Sequence, residues 1–90
     1  MIDTQTGDLL AVIRDAIDVP FPATDAARPA YLELCRDRGA AARSALDYAL
    51  ATGDLARATD LADEAIAAHP VNYPIDARWS ARGMDAAVTG

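Results

Sequence analysis

Cys35, His69 and the arginines at 28, 36 and 43 are the side chains in this sequence whose type and position suggest chemistry. A cysteine nucleophile needs a base beside it and a lowered pKa. Cys35 has no His near it in sequence and lies on or beside an apolar helical stripe, so it reads as a small buried hydrophobe. His69 has no Cys or second His at ligand spacing, which argues against zinc. It stands where a helix should end, and there the helix dipole favours a cation. The sequence has no glycine-rich phosphate loop, no metal-ligand cluster and no Ser-His-Asp set. With one His, one Cys and two Glu, acid–base catalysis has few candidates. The expectation is a non-enzyme with no catalytic, cofactor-binding or metal-binding residues.

Arg28, Arg36 and Arg43 fall along one face of a predicted helix, spaced by eight and seven residues. Such a row can grip an anion or an acidic partner. Asp25, Glu33, Asp37 and Asp47 interleave with it, so the plainer reading is a solvated, internally paired face. The stretch HPVNYPIDARW, residues 69 to 79, brings two prolines, Tyr73 and Trp79 together. An extended, Pro-bracketed aromatic can present itself to a partner. It can equally fold back as a plug over Ala-rich helices, large side chains against small ones. Phe21 between Pro20 and Pro22 repeats the device, which favours the plug and predicts that Tyr73 and Trp79 are mostly buried. The candidate interaction surface is therefore Arg28, Arg36, Arg43, Tyr73 and Trp79.

Composition sets the frame around these residues. Ninety residues is one domain, and 52% are hydrophobic, with 22 of them Ala. Ala favours helix but buries little area, so close helix contacts and a modest core are expected. A partner, or self-association along the first helix, would then supply part of the stability. The net charge of −6 argues against direct nucleic-acid binding and against adsorption to an anionic membrane. All eight basic residues are Arg, which with the Ala excess points to a high-GC bacterial genome. A single cysteine makes no intrachain disulfide, and no apolar run is long enough to span a membrane. The N-terminal residues do not resemble a secretory signal, so the cytoplasm is the expected compartment.

The elements that must position these residues are helical. Leu9, Leu10, Ile13, Ala16 and Ile17 form one stripe of a helix over about 6–17, capped by Thr6 or Asp8 and closed by Pro20. VPFPATD connects it to a second helix over about 27–52, with Pro29 in the first turn. Tyr31, Leu34, Cys35, Ala42, Ala45, Leu46, Ala49 and Leu50 keep helical phase there, through Gly39. Gly53 and Asp54 stop that helix and start a third over 54–68, with Leu55, Ala58, Leu61, Ala62, Ala65 and Ile66 inward. A short fourth over 76–82 is a further candidate, and 83–90 reads as a frayed tail. The fold class is all-α: a small bundle of three main helices with two Pro-aromatic connecting straps.

Residues 42–72 resemble a single tetratricopeptide-like helical hairpin. Gly53 and Asp54 stand in its turn, Ala58 and Ala65 at its small contact positions, and Pro70 and Asn72 at its end. The chain departs from that pattern at Ala62, Leu46 and Ala49, where the family carries an aromatic, a small residue and an aromatic. More loosely, the chain is similar to short uncharacterised proteins of high-GC actinobacteria and their phages. The resemblance implies a protein-binding module, and the leading expectation is a small acidic interaction or accessory module acting on another protein. The alternative is an acidic nucleic-acid mimic, with Asp60, Asp63 and Glu64 and with Asp15 and Asp18 standing in for phosphates. The third is an anion-binding enzyme using Arg36 and Arg43.

Overall fold

The computed structural model describes residues 2–78. Trp79, most of the candidate fourth helix and the 83–90 tail lie outside the described residues. Within them the chain forms three α-helices, α1 (Thr4–Ile17), α2 (Arg28–Thr52) and α3 (Leu55–Ala68), with a 3-10 turn at Asp25–Ala27. The fold is a small all-α bundle, with no strand among the described residues.

Local chemistry explains where each helix starts and stops. Asp3, rather than Thr6 or Asp8, caps α1: its Oδ1 accepts the Thr6 N–H at 2.8 Å. Thr6 is already inside the helix and supplies the orphan donor of the first turn. The same bond to Thr6 holds the Asp3 carboxyl below its usual range. Thr24 caps the 3-10 turn, its Oγ1 accepting from Ala27 N–H at 3.3 Å. Pro29 follows in the first turn of α2, where its missing N–H costs nothing. α2 then runs 25 residues without a break at Gly39. It ends on Gly53 in the left-handed region, φ 73°, whose N–H returns to the Ala49 carbonyl at 2.8 Å. Asp54 then caps α3 by accepting from Arg57 N–H at 3.0 Å.

The α2–α3 turn makes an antiparallel hairpin. α1 also runs antiparallel to α2: its C-terminal Asp15 meets Arg38, while Leu9 and Val12 share a core with Ala45 and Ala49. Leu9, Val12, Ala45, Ala49, Ala58 and Ala62 form that core. Alanines dominate because helices close on one another only where the facing residues are small.

The core is therefore rotated from the expected stripes. In α1, Leu9, Val12 and Ala16 are buried, while Leu10 and Ile17 are exposed. In α2, Leu34, Ala42, Ala45 and Ala49 are buried, whereas Leu46 is at the edge of exposure and Leu50 is 85% exposed. In α3, Ala58 and Ala62 are buried and Leu55, Leu61, Ala65 and Ile66 half-buried. α2 offers two apolar phases, one mostly of small residues and one of large ones, and close packing takes the first; α1 buries Leu9 and Val12 and leaves Leu10 and Ile17 outside.

Candidate functional site

The two Pro-aromatic straps, alike in sequence, pair with each other. Pro22 and Ile75 form an antiparallel bridge. Ala23 N–H donates to the Pro74 carbonyl at 2.8 Å and Asp76 N–H to the Phe21 carbonyl at 2.9 Å. Tyr73 donates its hydroxyl to the Pro20 carbonyl and meets Tyr31 edge-on, ring centroids 6.2 Å apart. Phe21 lies 6.1 Å from Tyr31 on the other side. Tyr73 is half-buried rather than buried, and Phe21 is 54% exposed. The straps thus close the end of the bundle by pairing with one another, and the aromatic row sits on its surface rather than inside it.

Tyr31 also stands one helical turn from Cys35. A hydrogen bond to Cys35, followed by burial, raises the Tyr31 phenol above its usual value. Burial, then the neighbouring Cys35, raises Tyr73. Both phenols are thus held protonated. Cys35 is half-buried, less covered than expected of a core residue.

Of the predicted arginines, Arg28, Arg36 and Arg43 are all exposed. Arg36 and Arg43 stand 3.9 Å from Asp37 and Asp47. Arg28 makes no ion pair among the described residues and lines an open cleft with Phe21, Tyr31, Asp25, Asp76 and Arg78. Asp60, Asp63 and Glu64 are exposed on α3, and Arg57 pairs with Glu64 at 3.6 Å. Asp15 and Asp18 lie at the end of α1.

The residue the sequence reading missed is Arg38, only 7% exposed. Its Nε–H donates to the His69 carbonyl at 2.9 Å and a terminal N–H reaches the Asp15 carbonyl at 3.5 Å. A single guanidinium thus draws the C-terminal ends of α1 and α3 onto the middle of α2, where both helix dipoles favour a cation. The available signal was its phase: Arg38 stands in line with Leu34, Ala42 and Ala45, not with the exposed arginines. His69 caps α3 through its backbone N–H and holds Nδ1 3.8 Å from Asp37 Oδ2. No group of three or more potential metal ligands occurs among the described residues.

A broader feature comes from the side chains left outside. On α2, Ala30, Glu33 and Asp37 turn toward the end of α3, and Arg38, Ala45 and Ala49 face the core shared by α1 and α3. At roughly 100° per residue, continuing the same rotation brings Gly39, Leu46, Leu32 and Leu50 past α1 and away from α3. On α1, Gln5 and Asp8 border α3, Leu9 packs into the core, and Ile17 and Leu10 lie beyond it. Because α1 and α2 are antiparallel, these two outer sectors open on the same side. Leu10, Ile17, Leu32, Leu46 and Leu50 therefore share one face of the α1/α2 layer, opposite α3, and all of them are exposed.

No family model, curated protein or solved structure matches this chain. None of its described helices is long and apolar enough to cross a membrane.

Proposed function

We propose that the chain is a small acidic helical protein-interaction or accessory module without catalytic activity. One observation carries the reading: Leu10, Ile17, Leu32, Leu46 and Leu50 of α1 and α2 are exposed, while Leu9, Val12 and four alanines make the core. Single exposed apolar residues are ordinary on protein surfaces, but a contiguous patch of them marks a binding surface. The arginines of the candidate surface lie on α2 beside this patch. Tyr73 is engaged in closing the strap, which leaves it a structural rather than a binding role.

The test is capture of the tagged full chain from its native lysate, with and without nuclease, beside a Leu50→Glu variant. Leu50 is exposed, so this change leaves the fold intact. A stoichiometric protein recovered with the parent chain in both treatments, and lost with the variant, is the expected result. Recovery that depends on nucleic acid, or that ignores the variant, refutes the reading.

A further inference from the structure

The two connectors that pair at the end of the bundle are not held alike. The first is anchored: Val19 and Pro20 are buried at its start and Ala27 at its end. The second, residues 70–78, contains no buried residue. Val71, Tyr73 and Asp76 are half-buried and the rest are exposed. Open space lies on both sides of it. A cleft of about 250 Å³ runs between Pro70 and Asn72 at its root and Glu33, Leu34 and Asp37 of α2. Another, of about 430 Å³, lies between Asp76 and Arg78 and the side chains of Phe21, Arg28 and Tyr31. Side chains that line such space lack partner atoms on that side and forgo dispersion contacts.

The ties of this segment are gathered over residues 73–76. The Ala23 N–H bonds the Pro74 carbonyl, the Asp76 N–H bonds the Phe21 carbonyl, and the Tyr73 hydroxyl bonds the Pro20 carbonyl. All of these reach residues 20–23, so they are made or lost together. At the root, Arg38 holds the His69 carbonyl, which fixes the end of α3 rather than the segment beyond it. Hydrogen bonds in so exposed a setting contribute little net. With no buried residue to add to them, they offset the entropy of ordering the segment by a small margin. Pro70 and Pro74 lower that entropy, which lets so lightly held a stretch be ordered.

We propose that residues 70–78 are a latch that opens as one unit while the three helices stay folded. Local opening is drawn from segments with few buried apolar contacts, and this one has none. Opening lifts Tyr73 from Tyr31 and from the neighbourhood of Cys35. It also leaves the Ala23 N–H and the carbonyls of Pro20 and Phe21 without the partners the latch supplies. Those are the groups with which an extended peptide pairs, so the latch governs access to a strand-shaped seat beside the Phe21–Tyr31 ring pair. The seat stays formed, because its residues belong to the anchored connector and to α2. The latch does not depend on any partner of the exposed leucines.

The test uses the full chain. Amide exchange read by NMR follows the bridge, and N-ethylmaleimide labelling follows Cys35, the one thiol in the sequence. The Ala23 and Asp76 amides should share one opening constant, roughly tenfold or more above that of Ala45 and Ala49 in the core. Its dependence on urea should be much shallower than theirs, because opening the latch exposes little surface. Two variants loosen the latch and keep the Tyr73 ring in place over the thiol. Pro74→Gly returns chain entropy to the open state at an exposed position. Tyr73→Phe removes only the hydroxyl bond. Each should speed Cys35 labelling and both bridge amides by roughly threefold to fivefold, the change that one modest tie implies. Bridge amides that exchange no faster than the core, or with the full urea slope of the core, overturn the proposal: the segment then opens only when the chain unfolds. An Ala23 amide that responds without Asp76 overturns opening as one unit. Labelling unchanged in both variants overturns the latch as a cover of the Tyr31 and Cys35 face.

Discussion

Arg38→Met removes the clasp between α1, α2 and α3 while keeping most of the aliphatic stem that packs in the interior. The 2.9 Å bond from its Nε–H to the His69 carbonyl has a charged donor, and such bonds contribute about 1.5–3 kcal/mol net. The 3.5 Å approach to the Asp15 carbonyl is long and adds little. Favourable placement of a partly buried cation at helix C-termini is worth up to about 2 kcal/mol, but it overlaps with the same contacts and is not added in full. Against these stands the recovered cost of burying the guanidinium, since replacing a buried charge by a hydrophobe is sometimes neutral. Here the two carbonyls lose their donor, and the balance remains a loss of about 2 kcal/mol for Met. For Ala, which also loses the stem, the loss is about 3 kcal/mol. In a domain whose total stability is on the order of 5–10 kcal/mol, either is large. Urea unfolding followed at 222 nm reads this directly. With a slope of about 1 kcal/mol per molar for so small a chain, the Met variant should unfold roughly 2 M earlier. Lys at 38 should recover less than half, because it lacks the planar fork that spans two helix ends. A Met variant within about 0.5 kcal/mol of the parent would refute the clasp: desolvation would then cancel the bond.

Four further outcomes follow from the geometry. Gly53→Ala forces a Cβ into a left-handed residue at φ 73° and should destabilise by about 1 kcal/mol in the same urea assay. Gly39→Ala sits mid-helix with open space where its Cβ would go, so it should stabilise the free chain by about 0.8–1 kcal/mol in the same assay. Tyr73→Phe removes the hydroxyl that bonds the Pro20 carbonyl and should cost about 1 kcal/mol, with the loss centred on the strap in hydrogen exchange. Tyr31 and Tyr73 are both raised above 10.0 in the folded chain, so their contribution is complete below that value and is lost as pH rises through the folded values. Thermal melts between pH 9 and pH 12 should show a fall that Tyr73→Phe reduces.

The helices were legible in the sequence because their punctuation is local. Pro29, Gly53 and Asp54 act within a turn of where they stand, and each does in the structure what its type predicts. The all-α class followed from the same signals. Which face of each helix is buried was not local. Leu10 and Ile17 fit a helical stripe as well as Val12 does, and Leu46 and Leu50 as well as Ala45 and Ala49. Periodicity alone favours the larger residues, because it weighs hydrophobicity and not how near a neighbouring helix must come. The strap-to-strap bridge joins residues 22 and 75, a pairing that no short-range pattern specifies. Arg38 was hidden for a related reason: a charged residue in an apolar phase reads as noise until two helix ends converge on it.

The same conflict between phases is what makes the open face informative. A chain that needed only to fold would gain by placing Leu10, Leu32, Leu46 and Leu50 inside, where each large side chain contributes on the order of 2 kcal/mol on burial. Instead it closes its helices largely on alanines, with Leu9, Val12 and Leu34 beside them, and leaves these four leucines outside, together with a glycine that costs helix stability and fills no contact of its own. The large apolar phase of α2 is one place where sequence and structure disagree, and a break in consistency across levels is expected where function lies. Gly39→Ala separates the two explanations within one molecule. If the outer face has no partner, the variant gains stability and loses nothing. If a partner covers that face, the same variant gains stability as a free chain and loses affinity, because the added methyl stands in the contact.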